Sequence, residues 1–381
     1  MTLSPLDDYP IHQAPQVMRH VATSDRNFYD RYYFNCHNGA QELAGRERAR
    51  DANEQRSGRD HKHADGRLML IVGVGQYPNL GVTDAFACIR TPDLHRVVRA
   101  SRELGADRMD TGIGPFRVEV IEGLKRLRVI LEPSEHGLSF DLTWEGTIPA
   151  TLEPRHFIRW QERVVFDSVR LAQTGRWSGN IRIGTEDIQV TPDRWQGTRD
   201  RSWGIRPVGE PEPPGIQVKN PGTFYWLYAP MQFDDHAILC IVQEDEQGRR
   251  VLEEATRVWA DGREEYLGRP EYHPVYAPGT RDVVEATITF GKLEVTCTPL
   301  LPVHLMVGTG YGLEPDWKHG MYQGVGPVVQ GVTYRLPDDA ARMWGMVDAV
   351  GRFEYDGRVG HGLFEYWALG PHPSFDGATG P

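Results

Sequence analysis

From residue 68 onward the chain is a succession of short apolar or alternating segments that end at glycine, proline, aspartate or serine. Segments of this kind, at a spacing of roughly 8–12 residues, are typical of antiparallel sandwiches and barrels. The predicted strands of the first half are Leu68–Gly75, Val82–Arg90, Leu94–Glu103, Phe116–Glu122, Leu127–Glu132, Leu138–Gly146 and the hairpin Ile181–Ile183 with Ile188–Val190. Those of the second half are Phe224–Pro230, Ala237–Glu244, Val251–Trp259, Val284–Phe290, Leu293–Pro299, Gly331–Arg335, Met343–Arg352 and Gly360–Leu369.

The strand pattern stops at a proline-rich stretch near residues 208–218 and then begins again. At 381 residues the chain is longer than one hydrophobic core usually supports. Its 41 glycines, 27 prolines and many aromatic residues favour strands and turns over helices. We therefore predict an all-β protein with little helix. It comprises an N-terminal extension and polar loop over 1–66, a first β-domain over 67–210 and a second over 211–381.

The overall composition narrows the class of protein. No stretch approaches the ~20 apolar residues of a membrane-spanning helix, and the first ten residues lack the basic and apolar regions of a signal peptide. Peripheral contact with a membrane stays open. The net charge of -11 argues against nucleic acid as a partner. The four cysteines lie far apart in the sequence, at Cys36, Cys88, Cys240 and Cys297. This spacing predicts reduced thiols in a cytoplasmic protein rather than disulfides or zinc ligands.

One segment, 195–204, combines a carboxylate with two guanidinium groups and two indoles. Charged groups seldom lie among large aromatic residues unless they are paired or functional. On an ideal strand Asp200 points to one face, and the other face holds Trp195, Arg199, Arg201 and Trp203. Two interpretations stay open. Asp200 is an acid in an aromatic pocket, or it forms buried ion pairs with the arginines that lock the two domains together.

The sequence Gly197-Thr-Arg-Asp-Arg-Ser-Trp-Gly204 resembles the Gly-x-x-Asp-His-x-Trp-Gly signature of the carotenoid 1,2-hydratases, or hydroxyneurosporene synthases. It is more similar still to the Arg-Asp-Arg-Ser-Trp-Gly sequence of uncharacterised actinobacterial relatives. Segments 73–79, 114–119, 140–144 and 173–179 also resemble that group, so the resemblance covers roughly residues 68–370. It implies two consecutive lipocalin-like antiparallel β-barrel or sandwich domains.

The resemblance also implies a chemistry. In the hydratases an isoprenoid C=C bond is protonated and water captures the tertiary cation, and relatives use the scaffold for cyclisation. A hydratase-type lyase with an apolar isoprenoid, terpenoid or steroid-like substrate and no cofactor is therefore expected, with Asp200 as the acid. One position departs from the signature, because Arg201 stands where the hydratases carry histidine. A permanent cation then replaces a group that could shuttle protons.

A second candidate is the segment 360–367 near the C-terminus. Strand alternation places on one face His361, Leu363, Glu365 and Trp367. Glu365 and His361 are candidate proton-transfer groups that could meet Asp200 across the domain interface. The alternative is a polar outward face with a Glu–His pair.

The remaining candidates are aromatic residues that could line a pocket, although aromatic strand residues are more often core. Together with the residues of segment 195–204, the candidate substrate-binding residues are Trp195, Arg199, Arg201, Trp203, Tyr225, Trp226, Tyr228, Tyr311 and Tyr322. No metal site is expected, because the metal-like spacing at 60–65 lies in a polar loop with nothing to fix its geometry. Gly73-x-Gly75 lacks the third glycine of a dinucleotide loop, and neither a Gly-x-Ser-x-Gly nor a phosphate-loop motif occurs.

Two classes of function follow. The first is an enzyme that acts by acid chemistry on an apolar small molecule through hydration, dehydration, cyclisation or isomerisation. The second is a non-catalytic carrier, since lipocalin-like barrels enclose apolar ligands. A carrier has no need of ionisable groups that converge in its cavity, so the directions of Asp200 and Glu365 distinguish the two.

Overall fold

The computed structural model describes residues 3–11, 17, 19–39, 67–160, 162–208, 224–312, 314–370 and 372. The polar segment 41–66, with its metal-like spacing at 60–65, and most of the proline-rich stretch lie outside these residues. Within the described ranges no helix is long and apolar enough to cross a membrane. The four cysteines are all buried and free.

Antiparallel strands make up nearly all of the described chain. Those before the proline-rich stretch are β1 (Phe28–His37), β2 (Met69–Tyr77), β3 (Val82–Thr91), β4 (Leu94–Glu103), β5 (Phe116–Glu122), β6 (Arg126–Leu131), β7 (Leu138–Gly146), β8 (Thr151–Leu152), β9 (His156–Trp160), β10 (Arg163–Ile183), β11 (Glu186–Val190) and β12 (Gln196–Ile205). Those after it are β13 (Phe224–Gln232), β14 (His236–Glu244), β15 (Arg250–Trp259), β16 (Glu264–Tyr266), β17 (Pro270–Tyr276), β18 (Val283–Phe290), β19 (Leu293–His304), β20 (Val328–Arg335), β21 (Val347–Tyr355) and β22 (Arg358–Leu369). Short 3-10 helices lie at Pro5–Asp8 and Ala340–Arg342.

The strands form two sheets. The first runs in the order β20-β4-β3-β2-β1-β12-β10-β7-β6-β5, and β8, β9 and β11 also pair with the long strand β10. The second runs in the order β16-β15-β14-β13-β22-β21-β19-β18-β17. The prediction of an all-β protein with two lipocalin-like antiparallel domains is confirmed, because both sheets curl into half-barrels.

One strand crosses between the two halves of the chain. β20 follows β19 in sequence but pairs with β4, in register from Val328 opposite Ser101 to Arg335 opposite Leu94. It thereby covers the edge of the first sheet, which would otherwise present unpaired backbone groups. Apart from β20, the strands before residue 210 lie in the first sheet and those after it in the second.

Among the described residues, three large hydrophobic cores follow from the alternation of side chains along the strands, and a smaller cluster holds Tyr29, Tyr77 and Val208. The first core lies inside the first sheet, and the second lies inside the second sheet. The third core lies between the sheets, where Tyr33 and Ala172 of the first meet Tyr228 and Leu363 of the second. On β1, Tyr32 belongs to the first core and Tyr33 to the third. A strand such as β1 or β12 therefore has one face in each core.

Candidate active site between the two sheets

Asp200 lies in the middle of β12, between β1 and β10. Its cross-strand neighbours are Tyr33 and Ala172, and both pack in the third core. Because neighbours in register share one face of a sheet, Asp200 faces the second sheet. It is half-buried. Among the described residues it forms neither an ion pair nor a hydrogen bond.

The two arginines beside Asp200 point to the opposite face, into the first core. Arg199 Nη1 lies 2.5 Å from Asp8 Oδ1, and Arg199 Nε donates a 2.9 Å hydrogen bond to Gln173. Arg201 forms an ion pair with Asp30. The side chains of both pairs are fully buried. The carboxylates that pair with the arginines of this segment are thus Asp8 and Asp30, and Asp200 is turned away from both pairs.

A row of polar side chains on the second sheet faces Asp200. Glu365 of β22 lies between Tyr228 of β13 and Asp348 of β21, which are its cross-strand neighbours. The row is joined to the first sheet by a 2.5 Å hydrogen bond from the Tyr33 hydroxyl to Asp348 Oδ2. Strand alternation along β22 therefore brings Glu365 to the same interface as Asp200.

Two further contacts fix the position of these groups. Trp226 Nε1 donates a 2.5 Å hydrogen bond to Glu365 Oε1. Arg170 of β10 forms an ion pair with Glu153, and its guanidinium carbon lies 4.2 Å from the Tyr228 ring centroid. We refer to the following residues as the interface cluster: Tyr33, Glu153, Arg170, Asp200, Trp226, Tyr228, Asp348 and Glu365.

Burial shifts the acid–base properties of the cluster. Burial raises the pKa of Glu365 to about 7, opposed by Arg170 and by the hydrogen bond from Trp226, while the charge of Asp200 adds to the rise. Burial and the neighbouring Glu365 charge hold the pKa of Asp348 well above its usual range. The pKa of Asp200 is also raised by burial, although Arg170 and other arginines pull it back. A carboxyl that titrates near neutral pH can both donate and accept a proton at working pH.

The cluster combines accessible carboxyls with unsatisfied polar atoms. Asp200 and Glu365 are half-buried, whereas Asp348 and Tyr228 are buried. Among the described residues, no hydrogen-bond partner exists for Asp348 Oδ1 or Arg170 Nη2. Buried polar atoms in native proteins are nearly always bonded to protein, water or ligand. The interface is therefore suited to bind a molecule that offers such bonds.

His361 lies on the same face of β22 as Glu365, but four residues away, or about 13 Å along the strand. It is in register with Gln232 and near His37, whose pKa is lowered to about 3 by burial and by His361. His361 borders a groove of about 510 Å³ that is lined also by Arg176, Asp193, Arg194, Gln196, Gln232, Phe233, Asp234, Gly357, Arg358, Val359 and Gly360. The structure does not bring His361 into the interface cluster.

The other aromatic candidates lie in different parts of the fold. Trp195 is in the first core, and Tyr225 is in the second, stacked on Tyr272. Trp203 is half-buried on the strand face opposite Asp200. Tyr322 is 55% exposed. Trp226 and Tyr228 are the two that the structure places in the cluster.

Tyr311 lies beside the cluster, against a pair of arginines. Its ring centroid is 4.7 Å from the guanidinium carbon of Arg31 and 5.6 Å from that of Arg206. Both arginines act electrostatically on Asp200. Tyr311 is therefore placed at the cationic end of the same interface.

Sequence reasoning missed four cluster residues: Tyr33, Glu153, Arg170 and Asp348. Asp348 stood in an apolar strand segment, where a lone carboxylate is itself a signal of pairing or function. Tyr33 stood in an aromatic segment with several tyrosines and nothing to single it out. Among the described residues no group of three or more His, Cys, Asp or Glu side chains could hold a metal ion.

The fold also occurs in a solved protein, the crystal structure at 2.00 Å resolution of "a putative AttH" from Nitrosomonas europaea. The two structures superpose with a TM-score of 0.55 at 14% sequence identity, over 91% of this chain and 94% of that one. At this identity the likeness concerns the fold alone. No curated protein matches the sequence. A family model matches residues 3–45 and 52–377, and the chain therefore belongs to DUF8625, a family of unknown function.

Proposed function

We propose that this protein is a hydro-lyase-type enzyme that acts on a C=C or C–O bond of an apolar isoprenoid, terpenoid or steroid-like molecule held between the two sheets. One observation carries the proposal. Asp200 and Glu365 come from different sheets to one aromatic interface, both are half-buried, and the pKa of Glu365 is about 7. Perturbed carboxyls of this kind are concentrated at functional sites.

We assign the acid to Glu365 and the base to Asp200. Alkene protonation needs a carboxylic acid that is neutral at working pH, and the pKa of Glu365 meets that need. Burial raises the pKa of Asp200 too, and Arg170 opposes the rise at both carboxyls, but only at Asp200 do Arg31 and Arg206 also oppose it. On the sequence alone, Asp200 is expected to be the acid. Because of these charges we propose that it is the base instead.

The reaction would proceed in two steps. Glu365 gives its proton to one alkene carbon, the π electrons form the new C–H bond, and the other carbon becomes a cation. Water attacks that carbon and gives a proton to Asp200, so the net change is addition of water, and the reverse sequence is dehydration. The Asp200 carboxylate also stabilises the cation electrostatically. Cyclisation or isomerisation would use the same first step.

The alternative is a carrier that binds the same kind of molecule without reaction. It would use the aromatic surface of Trp226 and Tyr228 but would not depend on the charge state of Glu365 or Asp200. The two functions differ in one measurable respect, which is transfer of a solvent proton to the bound molecule.

The test is incubation in heavy water with squalene and with geranylgeraniol, followed by mass spectrometry of the recovered lipid. We expect deuterium at a former alkene carbon, and a loss of the labelling rate on the order of 100-fold or more in Glu365→Gln and Asp200→Asn. Glu294→Gln, an exposed carboxyl on β19, is the matched control and should label normally. Undiminished labelling by Glu365→Gln would remove it as the acid. Saturable binding without labelling would favour the carrier.

A further inference from the structure

Arg31 of β1 is a buried cation that forms no ion pair with any residue that the structure describes. Arg31 is 2% exposed. Its Nε, Nη1 and Nη2 atoms all lack a hydrogen-bond partner among the described residues. Arginine stays charged in proteins, and a buried charge without partners is strongly unfavourable. Such a group in a native structure is satisfied by water, an ion or a ligand.

Two aromatic rings lie against the guanidinium of Arg31, and its N–H groups are not bonded to any described residue. The guanidinium carbon lies 4.7 Å from the Tyr311 ring centroid and 5.5 Å from that of Phe86. Gly73 on the neighbouring strand leaves the space that the group needs, because a Cβ there would lie 2.8 Å from Arg31 Nη2. Stacking uses the π-face of a guanidinium, so the N–H groups at its edge remain available for bidentate bonding.

Arg206 adds a second cation to the same place. It lies 4.5 Å from the Tyr29 ring centroid and 5.6 Å from that of Tyr311, and its Nε has no partner in the described part of the chain. Neither Arg206 nor Arg31 forms an ion pair with a described residue. Asp200 acts on both through space but bonds to neither.

Arg99 shows how this fold satisfies a stacked arginine whose role is structural. Its guanidinium carbon lies 4.7 Å from the Trp317 ring centroid, much as that of Arg31 lies against Tyr311. Unlike Arg31, it also forms ion pairs of 3.4 Å with Glu314 and 3.0 Å with Asp316. The absence of such partners at Arg31, within the described residues, sets it apart.

We propose that Arg31, assisted by Arg206, binds a carboxylate of the substrate, so that the substrate is an amphiphilic acid rather than a neutral hydrocarbon. The inference rests on the proposed function, because it places the anionic end of the molecule that Glu365 and Asp200 act on. Arg31 lies two residues from Tyr33, or about 7 Å along β1. The carboxylate therefore lies within a few bonds of the reacting carbons.

The test compares retinoic acid with retinol, which share one carbon skeleton and differ in the terminal group. Binding is measured by titration calorimetry. We expect the wild type to bind the acid on the order of 10- to 100-fold more tightly than the alcohol. Arg31→Met should lose this preference while retinol binding stays unchanged, and Arg31→Lys should restore part of it. Arg99→Met is the matched control and should keep the preference.

A second measurement needs no ligand. Without ligand, Arg31→Met should melt at or above the wild-type temperature, because it removes a buried charge that is not bonded to any described residue. A lower melting temperature would show that Arg31 is a structural counter-charge and would overturn the proposal. Equal affinity for acid and alcohol, or binding of neither, would overturn it as well. Because these measurements need no turnover, an acid preference without deuterium labelling of retinoic acid itself in heavy water would count against the enzyme alone. Labelling without that preference would count against the anion site alone.

Discussion

The Tyr33 hydroxyl of the first sheet donates a 2.5 Å hydrogen bond to the Asp348 carboxylate of the second, across 315 residues of sequence. Both side chains are buried, and each is the cross-strand neighbour of a candidate proton-transfer group. Tyr33 adjoins Asp200, and Asp348 adjoins Glu365. This bond therefore sets how the two halves of the site lie against each other.

Removal of this hydroxyl should lower the free energy of unfolding and raise the pKa of Asp348. Tyr33→Phe leaves a buried carboxyl without its donor, which should cost about 1–3 kcal/mol in the free energy of unfolding. Since the hydrogen bond lowers the pKa of Asp348, its loss should raise that pKa further. Urea unfolding measures the first effect. Tyr322→Phe, at an exposed position, is the control and should unfold like the wild type.

The ion pair between Arg199 and Asp8 should stabilise the fold, and it takes no part in the interface cluster. Arg199→Met leaves a fully buried carboxylate without its partner, which should cost about 3–5 kcal/mol. Arg128→Met breaks a half-exposed pair with Asp141 and should leave the free energy of unfolding unchanged within error. Denaturant titration of both variants measures the contrast. Similar stabilities for the two variants would contradict a structural role for the Arg199 pair.

The orientation of single strands could be predicted from the sequence. Period-two alternation predicts Asp200 and its neighbouring arginines on opposite faces of β12, where the structure has them. It also groups Glu365 with His361 on one face of β22, but it leaves open whether that face meets the first sheet or lies outward. These are local properties, because successive side chains on a strand point to opposite sides whatever the strand packs against.

Partners that are distant in sequence could not be predicted in this way. The carboxylates that satisfy Arg199 and Arg201 come from residues 8 and 30, and β20 pairs with a strand more than two hundred residues earlier in the chain. Such pairings depend on strand order and on how the sheets pack, and no local pattern encodes either. The separation of His361 from Glu365, in contrast, follows from the spacing of residues along one strand.

Stability should depend on pH through Glu365. Its pKa is about 7 in the folded protein and 4.5 in the unfolded chain, so the folded state holds the proton more tightly. The stabilisation is present in full below about pH 4.5 and is lost as the pH rises through 7. It amounts to up to about 3 kcal/mol.

Urea unfolding of wild type and Glu365→Gln between pH 5 and 8 measures this contribution as a difference. The difference is needed because buried histidines such as His95, with a pKa lowered to about 4 by burial, act with the opposite sign below pH 6.5. The wild type should lose stability relative to Glu365→Gln as the pH rises. A constant difference across this range would contradict the raised pKa, and Glu294→Gln should follow the wild type throughout.

The hydrogen bond from Trp226 should lower the pKa of Glu365. Because this bond lowers the pKa of Glu365, Trp226→Phe should move its titration above pH 7. Trp344→Phe, at a 52% exposed position, should leave it in place. An infrared pH titration of the two variants measures the shift. A downward shift in Trp226→Phe would show that the indole raises the pKa instead.

The most direct test of the central claim is the same infrared titration of the wild type beside Glu365→Gln. The claim is that Glu365 holds a proton at neutral pH at the interface that it shares with Asp200. Asp348 should keep a carbonyl band of its own, so the signal of Glu365 is the part of the band that is lost in Glu365→Gln. This difference should persist to pH 6 and decline with a midpoint near 7. A difference that disappears by about pH 5, as for a carboxyl in water, would contradict the claim.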